Sequence, residues 1–131
     1  MTTIEAAQYA YLVADADLAA LVGTRLYPLL IPQEAALPAV AYQRISGPRI
    51  LAHDGPTGAA EARIQYTITG ASYSSAKAVA AAIRRAVDGY AGQMADVTVE
   101  VAHVLNELDS FEFDILGYPV RLDVRFLYRE Y

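Results

Sequence analysis

Few side chains in this sequence have the type and spacing that catalysis or metal binding requires. The chain contains two histidines, His53 and His103, and no cysteine, which excludes disulfides, thiolate zinc sites and cysteine nucleophiles. His53 precedes Asp54, so a general base oriented by an acid is one interpretation. No nucleophile is paired with it, and we favour a polar pair on a surface loop. Two histidines far apart without HExxH spacing predict no metal site.

The remaining patterns that suggest chemistry are also incomplete. Glu107, Asp109, Glu112 and Asp114 are acidic enough for a hard cation but lack the ligand order of an EF-hand loop. We interpret them as a solvated connection between two strands. His103 falls at an inward position of the alternation that begins at residue 97, which predicts a strand-end or packed histidine rather than a ligand. No glycine cluster has the order of a phosphate-binding loop or dinucleotide fingerprint. The sequence predicts no catalytic, cofactor-binding or metal residues, and therefore not an enzyme.

Composition limits the classes of protein to which the chain can belong. The length of 131 residues predicts one domain over residues 1–131, and 55% hydrophobic with 19% charged residues excludes intrinsic disorder. No apolar run approaches the length of a membrane span, so we expect no membrane partner. A net charge of −5 argues against a nucleic-acid clamp. Ten tyrosines without tryptophan suit protein contacts, although a genome rich in G and C would also explain the abundant alanine.

The elements that would position any site follow from periodicity and capping residues. Residues 2–22 predict two short helices, because Asp15 or Asp17 can cap a second helix and Gly23 can end it. A proline-rich segment with one short strand follows, then a strand over residues 39–46. Residues 47–60 are rich in glycine and proline and predict a long loop. The rest predicts a strand over 61–70, a helix from Ser72 or Ser74 to Val87, and strands near 97–101 and 120–129.

The fold class follows from the strand pattern. Period-two alternation of apolar and polar residues indicates a sheet with one covered face. We therefore predict an α+β, two-layer domain: an antiparallel-rich β-sheet with helices packed on one face.

Three stretches of the chain together carry a resemblance to a known family. They are residues 20–47 (ALVGTRLYPLLIPQEAALPAVAYQRISG), 54–92 (beginning DGPTG) and 116–130 (LGYPVRLDVRFLYRE). In this order and spacing, the sequence resembles the tail-completion, or tail-terminator, proteins of long-tailed bacteriophages and gene transfer agents. The resemblance covers nearly the whole chain. One departure is Thr69-Gly70, where a bulkier, often aromatic pair would be expected after the strand.

The resemblance implies a non-enzymatic structural role in a phage-like particle. It implies a homo-hexameric ring at the head-proximal end of the tail, assembled in the host cytoplasm, that stops growth of the tail tube. The implied partners are the tail tube protein and a head-side connector or stopper. The negative net charge of the chain suits an acidic lumen that repels DNA, so we expect DNA to pass through without specific binding. The family has no catalytic residues to transfer to this chain.

Within that ring, we expect residues 47–60 to form an interface loop that orders on assembly, with Arg49, His53, Asp54 and Thr57 as candidate contact residues. Two other functions remain open. The chain could be another head-tail connector component, such as a stopper or adaptor, or a small-molecule-binding or hydrolytic α+β domain. The last would need an enclosed polar pocket that contains one of the histidines.

Overall fold

The computed structural model describes residues 2–52, 55–109 and 117–129, and its first elements are two short helices. Helix α1 (Ile4–Val13) begins where the Thr3 side chain accepts a hydrogen bond from the Ala6 amide at 3.2 Å. Helix α2 (Ala16–Val22) is capped by Asp15, whose carboxylate accepts from the Leu18 amide at 3.0 Å. Gly23, with φ +60°, follows the second helix. The prediction of two capped helices is confirmed.

Helix α3 (Tyr73–Val87) supplies the longest helical face that packs on the sheet. It starts at Ser72, whose hydroxyl accepts from the Ser75 amide at 3.1 Å, and it ends at Asp88. One face of the helix is apolar and buried, and it is formed by Ala76, Val79, Ala80, Ile83 and Val87. Arg84 and Arg85 lie in its last turn, where cations interact favourably with the helix dipole.

The described residues form seven strands in one sheet. The spatial order is β1-β2-β4-β7-β6-β5, and β3 pairs with β4 beside β2; β1 and β2 are parallel, whereas every other pair is antiparallel. The strands are β1 (Leu26–Pro28), β2 (Ala39–Ser46), β3 (Arg49–Ala52), β4 (Gly55–Gly70), β5 (Gly92–Met94), β6 (Val97–Asp109) and β7 (Tyr118–Arg129).

The helices cover one face of this sheet, which confirms the predicted α+β two-layer fold. Strands β4 and β7 pair along twelve residues and contribute alternate side chains to the core. Ile64, Tyr66 and Phe126 are fully buried between these strands and the helices. The Tyr66 hydroxyl donates to Oε1 of Gln8 on α1 at 2.7 Å, and Gln8 Nε2 donates to the Glu5 carbonyl at 2.7 Å. No helix in the described ranges is long and apolar enough to span a membrane.

The long loop predicted over residues 47–60 is wrong for the part of it that the structure describes. Arg49–Ala52 forms β3, and β4 begins at Gly55 rather than at residue 61. The pairing of β3 with β4 continues the pairing of β2 with β4 past a bulge, so a shared partner strand overrides the local preference of glycine and proline. Residues 55–58 of β4 pair only with β3, because pairing with β7 starts at Ala59.

The first of two bulges in β6 overturns the predicted inward position of His103. The register shifts between Val99 and Val101, so two residues of β6 oppose one residue of β7. A shift of one residue reverses every side chain that follows. Ala102 is buried in place of its neighbours, and His103 is exposed on the opposite face. A second shift after Val104 again reverses the side chains of the last part of the strand.

The backbone around Gly70, the last residue of β4, leaves no room for a side chain. A Cβ atom at Gly70 would lie 2.6 Å from the Ala76 backbone nitrogen and 2.7 Å from the Ser72 carbonyl oxygen. Both contacts are with the backbone of the first turn of α3, which cannot move away as a side chain can. Glycine at position 70 is therefore a packing requirement between the end of β4 and the start of α3.

Candidate functional site

The sheet face opposite the helices, called here the open sheet face, is polar and carries clustered arginines. Strand β4 places Arg63 on it, and β7 places Arg121, Arg125 and Arg129 on it, alternating with the buried residues of those strands. His103 on β6 lies opposite Arg125 in the register. Four of the ten lysines and arginines of an acidic chain thus lie on one surface.

Ion pairs neutralise much of that charge. Asp123 is 5% exposed, and its two carboxylate oxygens accept from Arg63 Nη2 at 2.7 Å and from Gln65 Nε2 at 3.0 Å. Arg125 pairs with Glu61 at 2.8 Å. Arg129 pairs with Glu100 at 2.9 Å. This network connects β4, β6 and β7 and fixes the side chains of the open sheet face, so it is a built surface rather than a collection of mobile cations.

A second polar cluster fastens α3 to β6 and corrects the prediction for the acidic stretch. Lys77 Nζ donates to Glu107 and, at 3.2 Å, to Asp109. Arg84 donates to Glu107 at 2.6 Å, and the Tyr73 hydroxyl donates to Asp109 at 2.5 Å. Glu107 and Asp109 therefore belong to a strand and pair with a helix, because the second bulge of β6 turns them toward α3. Glu112 and Asp114 lie outside the described residues.

The pairing shifts the protonation of this second cluster. The hydrogen bond from Tyr73, followed by that from Lys77, holds the pKa of Asp109 below its ordinary value. The same carboxylate raises the pKa of Tyr73, and Glu107 raises the pKa of Lys77. All three groups stay in their usual ionisation states at neutral pH, which suits a structural clamp and not a proton-transfer group.

The predicted interface residues lie on the ribbon formed by β3 and the first part of β4. Arg49 is the first residue of β3, and Thr57 lies in β4 within the segment that pairs only with β3. His53 and Asp54 lie outside the described residues. The other histidine, His103, is exposed on the open sheet face. It does not line the open groove that α2 and α3 form on the other side of the sheet.

The described residues form no cluster of potential metal ligands. No group of three or more histidine, cysteine, aspartate or glutamate side chains in the described ranges could hold a metal ion. Instead, the described surface exposes several large apolar side chains of the kind found at protein contacts. Sequence reasoning missed these residues, although Leu29 and Leu30 stand between two prolines: Leu29, Leu30, Ile45, Tyr73, Leu105, Leu108 and Tyr118.

Comparison with known proteins identifies the family to which the chain belongs. The family described as Tail completion protein gp17 matches residues 6–129, nearly the whole chain. The chain therefore belongs to this tail completion protein family, and it is a structural protein of a phage-like tail. A chain in the solved structure titled "Virion of native gene transfer agent (GTA) particle" is similar in fold, with a TM-score of 0.73 and 25% sequence identity. The match covers 92% of this chain and 90% of that one. No curated protein matches the chain in sequence.

Proposed function

We propose that this chain forms a homo-hexameric ring at the head-proximal end of a phage-like tail. The ring ends growth of the tail tube and offers a surface to the head-side connector or stopper, and it assembles in the host cytoplasm. The observation that carries the proposal is the match of the tail completion family over residues 6–129. The similarity to a chain of a gene transfer agent virion supports it.

The surface of the molecule is consistent with a ring subunit. A ring with rotational symmetry needs two different surfaces on each copy, because its contacts are head-to-tail. Helices form one surface of the subunit and a sheet face forms the opposite one, and Leu29 and Leu30 at the end of edge strand β1 are largely exposed. Large exposed apolar side chains are costly for a monomer and ordinary at an interface.

We further propose that DNA passes through the ring without being held. The net charge of −5 opposes phosphate binding. On the open sheet face, ion pairs with Asp123, Glu61 and Glu100 engage Arg63, Arg125 and Arg129. We expect no binding of duplex DNA by the purified chain at physiological salt in fluorescence anisotropy, and a micromolar dissociation constant would contradict this part of the proposal.

The β3–β4 ribbon is proposed as one subunit contact, with Arg49, His53, Asp54 and Thr57 as candidate contact residues. A two-stranded ribbon gains little stability by itself, so docking on a neighbour would order it. We expect amide exchange in residues 47–60 to be slower in assembled tails than in the free chain. Equal protection in both states would remove the ribbon from the interface.

The ring itself is tested by electron microscopy of the purified chain with and without tail tubes of the same particle. We expect six-fold rings, either in solution or bound at one end of each tube. Particles that hold the chain only in DNA-filled heads, and never in separated tails, would favour a stopper or adaptor. A chain that remains monomeric under all these conditions would contradict the proposal.

A further inference from the structure

Two adjacent leucines at the end of edge strand β1 are exposed to solvent. Leu29 is 69% exposed and Leu30 is 73% exposed. The backbone there is fixed, because the Leu29 amide donates to the Tyr42 carbonyl at 2.9 Å and the Leu30 amide donates to the Pro28 carbonyl at 2.8 Å. Leu29 has a φ of +70°, a conformation that bulky side chains rarely adopt. We call Leu29 and Leu30 the leucine knuckle.

This combination of strain and exposure needs a reason outside the single subunit. A left-handed backbone at a branched residue costs free energy, and such strain concentrates at functional positions. Exposing two leucines forgoes the stabilisation that their burial would give. Within one subunit neither cost brings a packing benefit, whereas a rigid apolar projection suits insertion into another molecule.

A shallow, open groove with a volume of about 570 Å³ lies between α2 and α3 in the helix layer. Three of its six lining residues are alanines, whose small side chains leave the surface between the two helices open. A charged side chain of each sign also contributes to the lining, and neither Asp17 nor Arg85 has an ion-pair partner within the described ranges. The lining residues are Asp17, Ala20, Leu21, Ala78, Ala81 and Arg85.

One cation of the groove, Arg85, is opposite in sign to an anion near the leucine knuckle. Glu34 follows the leucine knuckle in the same exposed segment and has no ion-pair partner in the part of the chain that is described. Arg85 is exposed at the groove, and it also has no ion-pair partner among the described residues. The knuckle lies at the sheet edge and the groove lies in the helix layer, so a contact between them joins two different surfaces. Such a contact is head-to-tail and generates a ring when the rotation closes.

We propose that the leucine knuckle of one copy inserts into the α2–α3 groove of the next copy, with Glu34 of the first facing Arg85 of the second. The occupant of the groove is a second copy of this chain, and the inference rests on the proposed ring. It adds the two surfaces that form the repeated contact. The apolar side chains supply affinity, and the charge pair sets the orientation of the neighbours.

Cysteine cross-linking tests the contact directly, because the natural chain has no cysteine. The variant with Leu30→Cys and Ala78→Cys, treated with a mild thiol oxidant, should give a ladder of disulfide-linked species on a non-reducing gel. The matched control combines Leu30→Cys with Ala91→Cys, since Ala91 is also an exposed alanine but lies outside the groove. The control should give at least tenfold less cross-linked product. Equal ladders, or none from the first pair in assembled rings, would overturn the proposal.

Charge reversal tests the orientation. Glu34→Arg and Arg85→Glu should each raise the concentration needed for half-assembly about fivefold, which is typical for loss of a partly exposed ion pair. The double variant should recover most of that loss, because the pair is restored with its charges exchanged. Two losses that simply add would contradict the facing of Glu34 and Arg85. Circular dichroism of each variant at low concentration checks that the subunit remains folded.

These experiments distinguish a wrong contact from a wrong proposal that the chain forms a ring. If the natural chain forms rings but the Leu30–Ala78 pair does not cross-link, the proposed function stands and this contact is wrong. If the natural chain forms no ring alone or with tail tubes, the proposed function falls, and this contact falls with it.

Discussion

The hydrogen bond between Tyr66 and Gln8 joins the centre of the sheet to α1, and its removal allows a quantitative test of the packing. Both side chains are fully buried, and the hydroxyl donates to the amide oxygen at 2.7 Å. Burial raises the pKa of Tyr66, so its proton is retained at any ordinary pH. Tyr66→Phe removes the donor and leaves a buried acceptor without its partner. We expect the free energy of unfolding to fall by about 2 kcal/mol.

A double-mutant cycle isolates the interaction. Gln8→Met removes the other partner with little change in shape, and we expect a loss of about 2 kcal/mol as well. The double variant should lose about 2 kcal/mol rather than about 4 kcal/mol, because no buried polar group is then left unsatisfied. Each loss is measured as a shift of the urea midpoint, about 1 M for 2 kcal/mol.

Tyr27→Phe serves as the control for Tyr66→Phe, because it removes the same hydroxyl group from a different site. The Tyr27 hydroxyl has no hydrogen-bond partner within the described ranges, so Tyr27→Phe should change the free energy of unfolding by less than about 0.5 kcal/mol. Additive losses in the Tyr66 and Gln8 variants would show that the two side chains do not interact. The packing of α1 on β4 would then be wrong.

Three further changes test other contacts of the fold. Gly70→Ala should cost about 3 kcal/mol in thermal or urea unfolding, because the new methyl group meets the backbone of α3; Gly89→Ala, with open space but a φ of +78°, should cost only about 1 kcal/mol. Asp123→Ala should cost about 1–2 kcal/mol, because Arg63 loses a partner while remaining partly hydrated. At pH values above 3.8, the ordinary pKa of aspartate, Asp109→Asn should lower the urea midpoint. The difference between the variant and the natural chain should vanish as the pH falls through the lower pKa that Asp109 has in the folded state. A difference that persists in strong acid would refute the stabilising contacts of Asp109 with Tyr73 and Lys77.

Local signals were sufficient for the helices and for the central strands. The caps at Thr3, Asp15 and Ser72 act within three residues of their own position, so their effect can be predicted without knowledge of the rest of the fold. The alternation in β4 and β7 has a period that burial on one face imposes. The apolar stripe of α3 has the helical period for the same reason.

The register of β6 and the ribbon could not be predicted because both depend on distant partners. A bulge beside Val99 arises from pairing with β7 and leaves no local mark, so His103 was assigned to the wrong face. Arg49–Ala52 becomes a strand because β4 extends past the main sheet to pair with it. The clamp of Glu107 on α3 depends on a second bulge and on the position of that helix. The leucine knuckle was missed because exposure is a property of the folded surface.

We propose that this chain ends growth of the tail tube, and the length of assembled tails tests that role most directly. Particles assembled without the chain should be compared by electron microscopy with particles in which it is restored. We predict that tubes without the chain are longer, variable in length and not joined to heads, and that restoring the chain gives uniform tails joined to heads. Tails of uniform length joined to heads in the absence of the chain would contradict the account.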